Sequence, residues 1–200
     1  LRPGNLYDYF LQRQEKGVLA AREILIAILE GMGEIWPDGG WVDSIAIGDA
    51  AYHEAVKRSD ITDGIVPFHK LSQWMSYSLI EPLQVAGIKI TDLDALTGLA
   101  EYRNGGLFID TGTISLRDKT QMEKVHDPKS PLIVECRALT VTLLDQLAEQ
   151  IRQHTNTNSE SMPLGSILQG GTWSAGRRIA QRLRADASPP LRLKSRGTIF

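Results

Sequence analysis

The chain has a single cysteine, Cys136, which excludes an intramolecular disulfide framework and fits a reducing compartment. It has little excess of either charge. The formal net charge of −2 lacks the basic footprint of a general nucleic-acid binder. It also has no long hydrophobic run: the longest wholly apolar stretch, Ile24 to Leu29, stops at Glu30, far short of the roughly 18 residues that a membrane span needs. No basic-then-apolar leader is read at the start. A cytoplasmic protein is expected, with no nucleic-acid and no membrane partner. HExxH, paired cysteines, the P-loop lysine and the GxSxG elbow are all missing from the sequence, so no metal and no cofactor is expected.

What is present suits one domain over 200 residues, with 42% apolar and 23% charged residues. The patterning predicts a mainly helical chain with a small hairpin or short sheet. Helices are expected over Asn5 to Glu15, capped by Asn5 with Asp8 following, and over "VLAAREILIAILEGMGEI". "WPDGGW" reads as a turn, Ile47 to Lys57 as a helix, and "RSDITDG" as a loop. Pro67 is expected to open a helix to about Val85, with Phe68, Leu71, Trp74, Met75, Leu79 and Pro82 on one face and Pro82 ending or kinking it. "GIKI" follows as a short strand, then "TDLDALTG" as a short helix capped by Thr91. Pro131 to about His154 is the longest helix, with Leu132, Cys136, Leu139, Leu143, Leu147 and Ile151 as its stripe, widened by Leu144. "TNTNSES" is a polar linker. "GGTWSAGRRIAQRLR" reads as a basic helix capped by Thr172, and "LRLKSRGTIF" as a hairpin turning at Ser195 to Gly197.

Several segments carry possible chemistry. In "LTGLAEYRNGGLFIDTG" an acid, a phenol and a guanidinium (Glu101, Tyr102, Arg103) stand between apolar residues and the Gly105–Gly106 pair. The glycines would permit positive φ or close approach of a ligand. Glu101 reads either as a structural ion-pair member beside a turn or as an active-site carboxylate. On the Pro67 helix, Lys70, Gln73 and Tyr77 share a face, with His69 beside Gln73; this is a pocket wall or a solvated surface. Glu135 and Arg137 flank the apolar stripe of the long helix, where they can reach a pocket or form boundary pairs. Asp49 and His53 stand four apart on the expected Ile47 helix. "GGTW", ending at Trp173, has the look of an anion cradle at a helix start, although a plain junction serves as well. "LFIDTGT" is a poor match to a phosphoribosyl-diphosphate loop, with the single acid Asp110.

Six blocks then add up to a resemblance: "GDAAYHEA", "PFHKLSQWMSYSLIEPL", "LTGLAEYRNGGLFID", "VECRALTVTLLDQL", "GGTWSAGRRIA" and "GTIF". In that order they resemble the family of the fourth uracil-catabolism (URC pathway) protein, whose members are longer at the N-terminus, so that this chain resembles their C-terminal part. More remotely, "FHK" at Phe68 to Lys70, "LTGLAEYR" at Leu96 to Arg103 and "ECR" at Glu135 to Arg137 resemble blocks of the queuosine-salvage nucleotide N-glycosylases. That resemblance implies a helical, DNA-glycosylase-like fold and cleavage of a bond between a ribose anomeric carbon and nitrogen. The key aspartate of that family falls on Glu101, one methylene longer.

Together the resemblances imply an N-glycosidase that splits a ribosylurea-type (phospho)nucleoside into urea and a sugar (phosphate). Other uracil-catabolism enzymes are possible partners. Such cleavage builds an oxocarbenium-like cation, which a fixed carboxylate stabilises; Glu101 is assigned this role. Tyr102, Asp49 and His69 are candidate proton donors. Lys70 with Arg103 or Arg137 would hold a phosphate. Gln73, Asn104, Glu135 and Trp173 complete the expected substrate-binding set, with a Glu135–Arg137 pair expected to be structural. Rival readings are a uracil phosphoribosyltransferase, a non-catalytic nucleotide- or partner-binding protein, and a DNA glycosylase.

Overall fold

A computed structural model describes residues 2, 4–36 and 39–194. The architecture is mainly α, as the patterning predicts, with short two-stranded sheets between helices. Helix α1 (Gly4–Arg13) is followed by β1 (Val18–Ala20) and α2 (Ala21–Met32). The hairpin β2 (Gly40–Val42) and β3 (Ile45–Gly48) precedes β4 (Ala50–Tyr52), which pairs antiparallel with β5 (Ile65–Pro67). Helix α3 (Lys70–Val85) leads to β6 (Lys89–Thr91), parallel to β1. Then come α4 (Tyr102–Asp110), β7 (Val125–His126) and α5 (Pro131–Thr155). Helices α6 (Leu164–Ile167) and α7 (Trp173–Leu183) follow, and β8 (Arg192–Leu193) lies parallel to β7.

One apolar cluster is built by Phe10, Ile24, Ile28, Leu83 and Ile90, and a second by Phe108, Leu144, Leu164 and Leu168. Tyr77 on α3 packs against both. A smaller apolar cluster of Ala51, Phe68, Ala100 and Val134 lies beside buried polar groups. There α3, α4 and α5 bury Lys70, Gln73, Asn104, Arg137 and Thr140, and this is where the site forms.

Several expectations are corrected. Ile47 to Lys57 is not a helix: β3 and β4 run through it, with Gly48 at φ +62 between strands. The Asp49 carbonyl accepts from the Phe68 and His69 amides, so tertiary pairing overrides the local alanine-rich pattern. Pro67 closes β5, and α3 begins only at Lys70, after His69 in the left-handed region at φ 50. Pro82 sits inside α3, which continues to Val85. The residues 18–20 expected in the second helix form β1. Asn5 lies within α1 and accepts from the Arg2 amide. Thr91 caps nothing, because Asp92 precedes a single 3-10 turn at Leu93–Ala95. Residues 37–38 of the "WPDGGW" turn and the Ser195–Gly197 turn lie outside the described residues, as does the "GTIF" block. Arg192 and Leu193 pair with β7.

The helix faces also differ from the periodicity. On α3 the buried residues are Lys70, Ser72, Gln73, Ser76 and Leu83, while Trp74 is 48% exposed. Met75 and Leu79 do pack against the first cluster. On α5, Ile133, Arg137, Thr140, Leu144 and Ala148 are buried and Leu139 is largely exposed. In its N-terminal half Arg137 is buried beside Ile133, Val134 and Cys136. The apolar stripes otherwise hold, with Phe68, Met75 and Leu79 and then Cys136, Leu143, Leu144, Leu147 and Ile151 packed inward. The departures are Trp74, Pro82 and Leu139, and the polar residues buried beside the stripes.

Candidate functional site

Asp49 organises the first half of the site. Its backbone carbonyl holds the turn into α3, and its Oδ2 accepts from the Lys70 amide at 3.0 Å. A carboxylate at a helix start is stabilised by the free amides and the dipole. Arg137 answers it from α5 with two parallel bonds, Nη1 to Oδ1 at 2.8 Å and Nη2 to Oδ2 at 2.6 Å. The same guanidinium lies 4.0 Å from the Phe68 ring centroid and donates through Nε to the Ala100 carbonyl at 3.2 Å. One cation therefore ties β4, α3 and the residue before Glu101 to α5. The expected Glu135–Arg137 pair does not form. Glu135 instead lies 3.2 Å from His53 Nε2, oriented so that no hydrogen bond results. Asp49 and His53 are not on one helix face: Asp49 lies between β3 and β4, and His53 in the loop after β4.

Glu101 opens α4. Its backbone is extended, and its carboxylate accepts from Asn104 N at 2.7 Å through Oε1 and from Arg103 N at 2.9 Å through Oε2. It is an N-cap, yet only 4% exposed. Burial pushes its pKa above the usual glutamate value. The two amide bonds and the charges of Lys70 and Arg103 oppose that rise without cancelling it. Lys70 is equally withdrawn, and burial, with Arg137 repelling it, brings its ammonium down to about 8. Desolvation likewise lowers the His69 pKa, and its Nδ1 is buried without a hydrogen-bond partner. Asp49, His69, Lys70, Glu101 and Arg137 thus form one charged nest inside the protein. The alternative of a solvated face for Lys70 and Gln73 is excluded by their burial.

Next to this nest is a cavity of about 490 Å³, walled by Trp74, Tyr77, Leu99, Asn104, Leu168 and Trp173. Glu101 is not part of that wall; its bond to the Asn104 amide joins the two places. Tyr77 donates its hydroxyl to the Thr97 carbonyl, and Gln73 Oε1 accepts from Thr97 N. Both side chains hold the segment that leads into Glu101. Arg103 stacks between the rings of Tyr102 and Trp173, at 4.8 and 5.1 Å from their centroids.

The glycines act differently from expectation. Gly105 and Gly106 lie inside α4 and let Thr140 and Pro190 come close, a Cβ there meeting them at 3.0 and 3.1 Å. Gly170 and Gly171 belong to a π-helical turn, Leu168–Thr172, that joins α6 to α7 without a break. No free helix start exists there for an anion, and Thr172 makes no side-chain cap. In "LFIDTGT", Asp110 is gripped by Arg184 at 2.8 and 2.5 Å, and Thr111 caps the end of α4. Sequence reasoning missed the contribution of Trp74, Leu168 and the π turn to the cavity. A π turn inside a helical run has no single-sequence signature, although it often marks a functional place.

Comparison with known proteins places the whole chain, residues 1–200, in a family described as protein of unknown function (DUF1688). The chain belongs to that family. It is 40% identical to Protein urg3 of Schizosaccharomyces pombe, over 83% of this chain and 41% of that protein. It is 36% identical to Uracil catabolism protein 4 of Lachancea kluyveri, over 100% of this chain and 51% of that protein. A queuine tRNA-ribosyltransferase of Pseudomonas syringae is 32% identical over 56% of the chain. The chain spans about half the length, or less, of these curated relatives. No solved structure matches. Among the described residues no helix is long and apolar enough to cross a membrane.

Proposed function

Starting from membership of the DUF1688 family, we propose that this chain serves uracil catabolism as an N-ribosyl hydrolase. Its substrate is a ribosylurea-type nucleoside or its phosphate, and its products are urea and the sugar or sugar phosphate. Supporting the pathway is the name of the Lachancea relative, Uracil catabolism protein 4. Supporting the chemistry is the ribosyl transfer named for the Pseudomonas relative together with the charged nest.

The observation that carries the reading is the Glu101 carboxylate, withdrawn from water, tied to one backbone amide through each oxygen, and joined through one of them to Asn104 of the cavity wall. Each oxygen keeps lone pairs for a further partner. As the C1′–N bond lengthens, the sugar ring gains positive charge, and a poorly hydrated anion stabilises it more than water does. The same raised pKa makes Glu101 a better base toward the attacking water. The C–N electron pair leaves with nitrogen, which takes up a proton to release urea. The water oxygen bonds to C1′ and gives its proton to the carboxylate.

Lys70 and Arg103 carry the positive charge that a 5′-phosphate would meet. Asp49 has both oxygens engaged by Arg137, and therefore acts as a positioning residue rather than as the proton donor. His69 keeps an unpartnered Nδ1, but the burial that lowers its pKa favours the neutral imidazole. It serves as a hydrogen-bond partner rather than as the acid, and the Tyr102 ring stacks on Arg103. The proton on the leaving nitrogen is taken from water. Incubating the complete protein with ribosylurea, with and without the 5′-phosphate, and assaying urea tests the reading. Consumption of phosphoribosyl diphosphate with uracil, and no urea, would favour a phosphoribosyltransferase instead. Binding with neither reaction would favour a non-catalytic partner of the pathway.

A further inference from the structure

We infer that the cavity behind α4 is a ureide pocket, in which Asn104 Oδ1 accepts an N–H from a flat, uncharged –NH–CO–NH– group. This deepens the hydrolase reading, on which it rests for the identity of the ligand. The unmet polar atom comes first. Asn104 is 1% exposed and lines the cavity, and its Oδ1 is buried without a hydrogen-bond partner. Its Nδ2 donates to the Leu99 carbonyl at 3.2 Å, which fixes the end of the amide that is left over. A buried acceptor without a donor costs free energy, and a ligand N–H removes that cost.

The rest of the wall narrows the chemistry. Trp74, Tyr77 and Trp173 supply aromatic surface suited to a planar group. The Tyr77 hydroxyl is already spent on Thr97, so it does not compete for the ligand. Among the described residues no lysine, arginine or histidine is part of the wall, and the one charged group there is the carboxylate of Glu81. An anion is therefore disfavoured here, whereas the cations Lys70, Arg103 and Arg137 stand outside this wall. A phosphorylated ribosylurea would be divided accordingly, with its neutral leaving group toward Asn104 and its phosphate toward the cations. The same ureide edge occurs in two forms, open-chain in a substituted urea and ring-closed in a pyrimidine.

The test is calorimetric titration of the complete protein with N-methylurea and with uracil, each set against its fully N-methylated counterpart, tetramethylurea and 1,3-dimethyluracil. At least one N–H-bearing ligand is expected to bind about tenfold or more tightly than its methylated form, and the one that does identifies the open or the ring-closed source. Asn104→Leu is expected to bring the tighter ligand down to the level of the methylated one while leaving the latter unchanged. If that variant fails to fold, the ligand comparison in the parent protein still decides. Equal binding of methylated and unmethylated forms, or no binding of either pair, overturns the inference. Urea release from ribosylurea is assayed in the same preparation. Release without discrimination by N–H leaves the hydrolase reading standing and removes this one; discrimination without release does the reverse.

Discussion

The Asp49 carboxylate and the Arg137 guanidinium, 88 positions apart in sequence, meet in two bonds of 2.8 and 2.6 Å, with both side chains almost wholly withdrawn from water. Breaking such a pair leaves one charge buried and uncompensated. Asp49→Asn is expected to lower stability by about 3–5 kcal/mol, read as a shift of the urea midpoint at constant slope. The double variant Asp49→Leu with Arg137→Met should recover most of that loss. A single variant as stable as the parent would contradict the role given to this pair.

Helices α4 and α7 touch backbone to side-chain position: a Cβ on Gly176 would strike the Arg103 carbonyl. Gly176→Ala should therefore cost about 1–3 kcal/mol as an overpacked contact, despite the better helix propensity of alanine. Gly170→Ala, where a Cβ meets nothing within 4 Å, is the control and should be close to neutral. Thermal melting of the two variants separates them. Equal melting temperatures would remove the close-approach argument.

Lys70 gives a pH dependence with a definite sign. Its ammonium falls to about 8 in the folded protein, against an ordinary 10.5. Between these values the unfolded chain binds more protons, so this group's contribution to stability rises as pH rises from about 8 to about 10.5. Below about 8 the cost of burying the cation is present in full. Phosphate binding runs the other way, because the cation is lost above about 8. KM for a 5′-phosphorylated substrate should climb above that pH, while KM for the unphosphorylated one stays flat. Lys70→Met should abolish the difference between the two profiles. Identical profiles for both substrates in the parent protein would remove Lys70 from phosphate binding.

Fold class and the long helix were legible in the sequence, because helical periodicity over Pro131 to about His154 and the proline at its start are local signals. The chemistry-bearing residues were legible as types in blocks. Their wiring was not. Nothing near residue 49 announces that its partner is residue 137, and the pairing of Glu135 with Arg137 failed because residues two apart on a helix do not face each other. The Lys70–Gln73–Tyr77 face of α3 was legible as a face, but whether it was a pocket wall or a solvated surface was not, because its burial is polar and depends on neighbours that only the fold supplies. The strands β3 and β4 were hidden by an alanine-rich stretch whose partners lie elsewhere in the chain, β3 on residues 40–42 and Asp49 with β4 on residues 65–69.

The Glu101 carboxylate, raised above its ordinary range by burial, also predicts where activity fails in acid. Turnover requires the ionised form, so urea release should fall as pH drops through a value above that of an exposed glutamate. Glu101→Gln should flatten this limb by removing the group that titrates. Its effect on stability should be modest, since the relief of a buried charge offsets the weakened cap, worth about 1 kcal/mol.

The most direct measurement is urea release from ribosylurea by the complete protein and by its Glu101→Gln variant, both verified as folded by circular dichroism. Loss of turnover on the order of 10²–10³ or more is expected, the scale of removing one preorganised electrostatic group from a transition state. A folded variant that releases urea at the parent rate would contradict the assignment of Glu101 and the mechanism built on it.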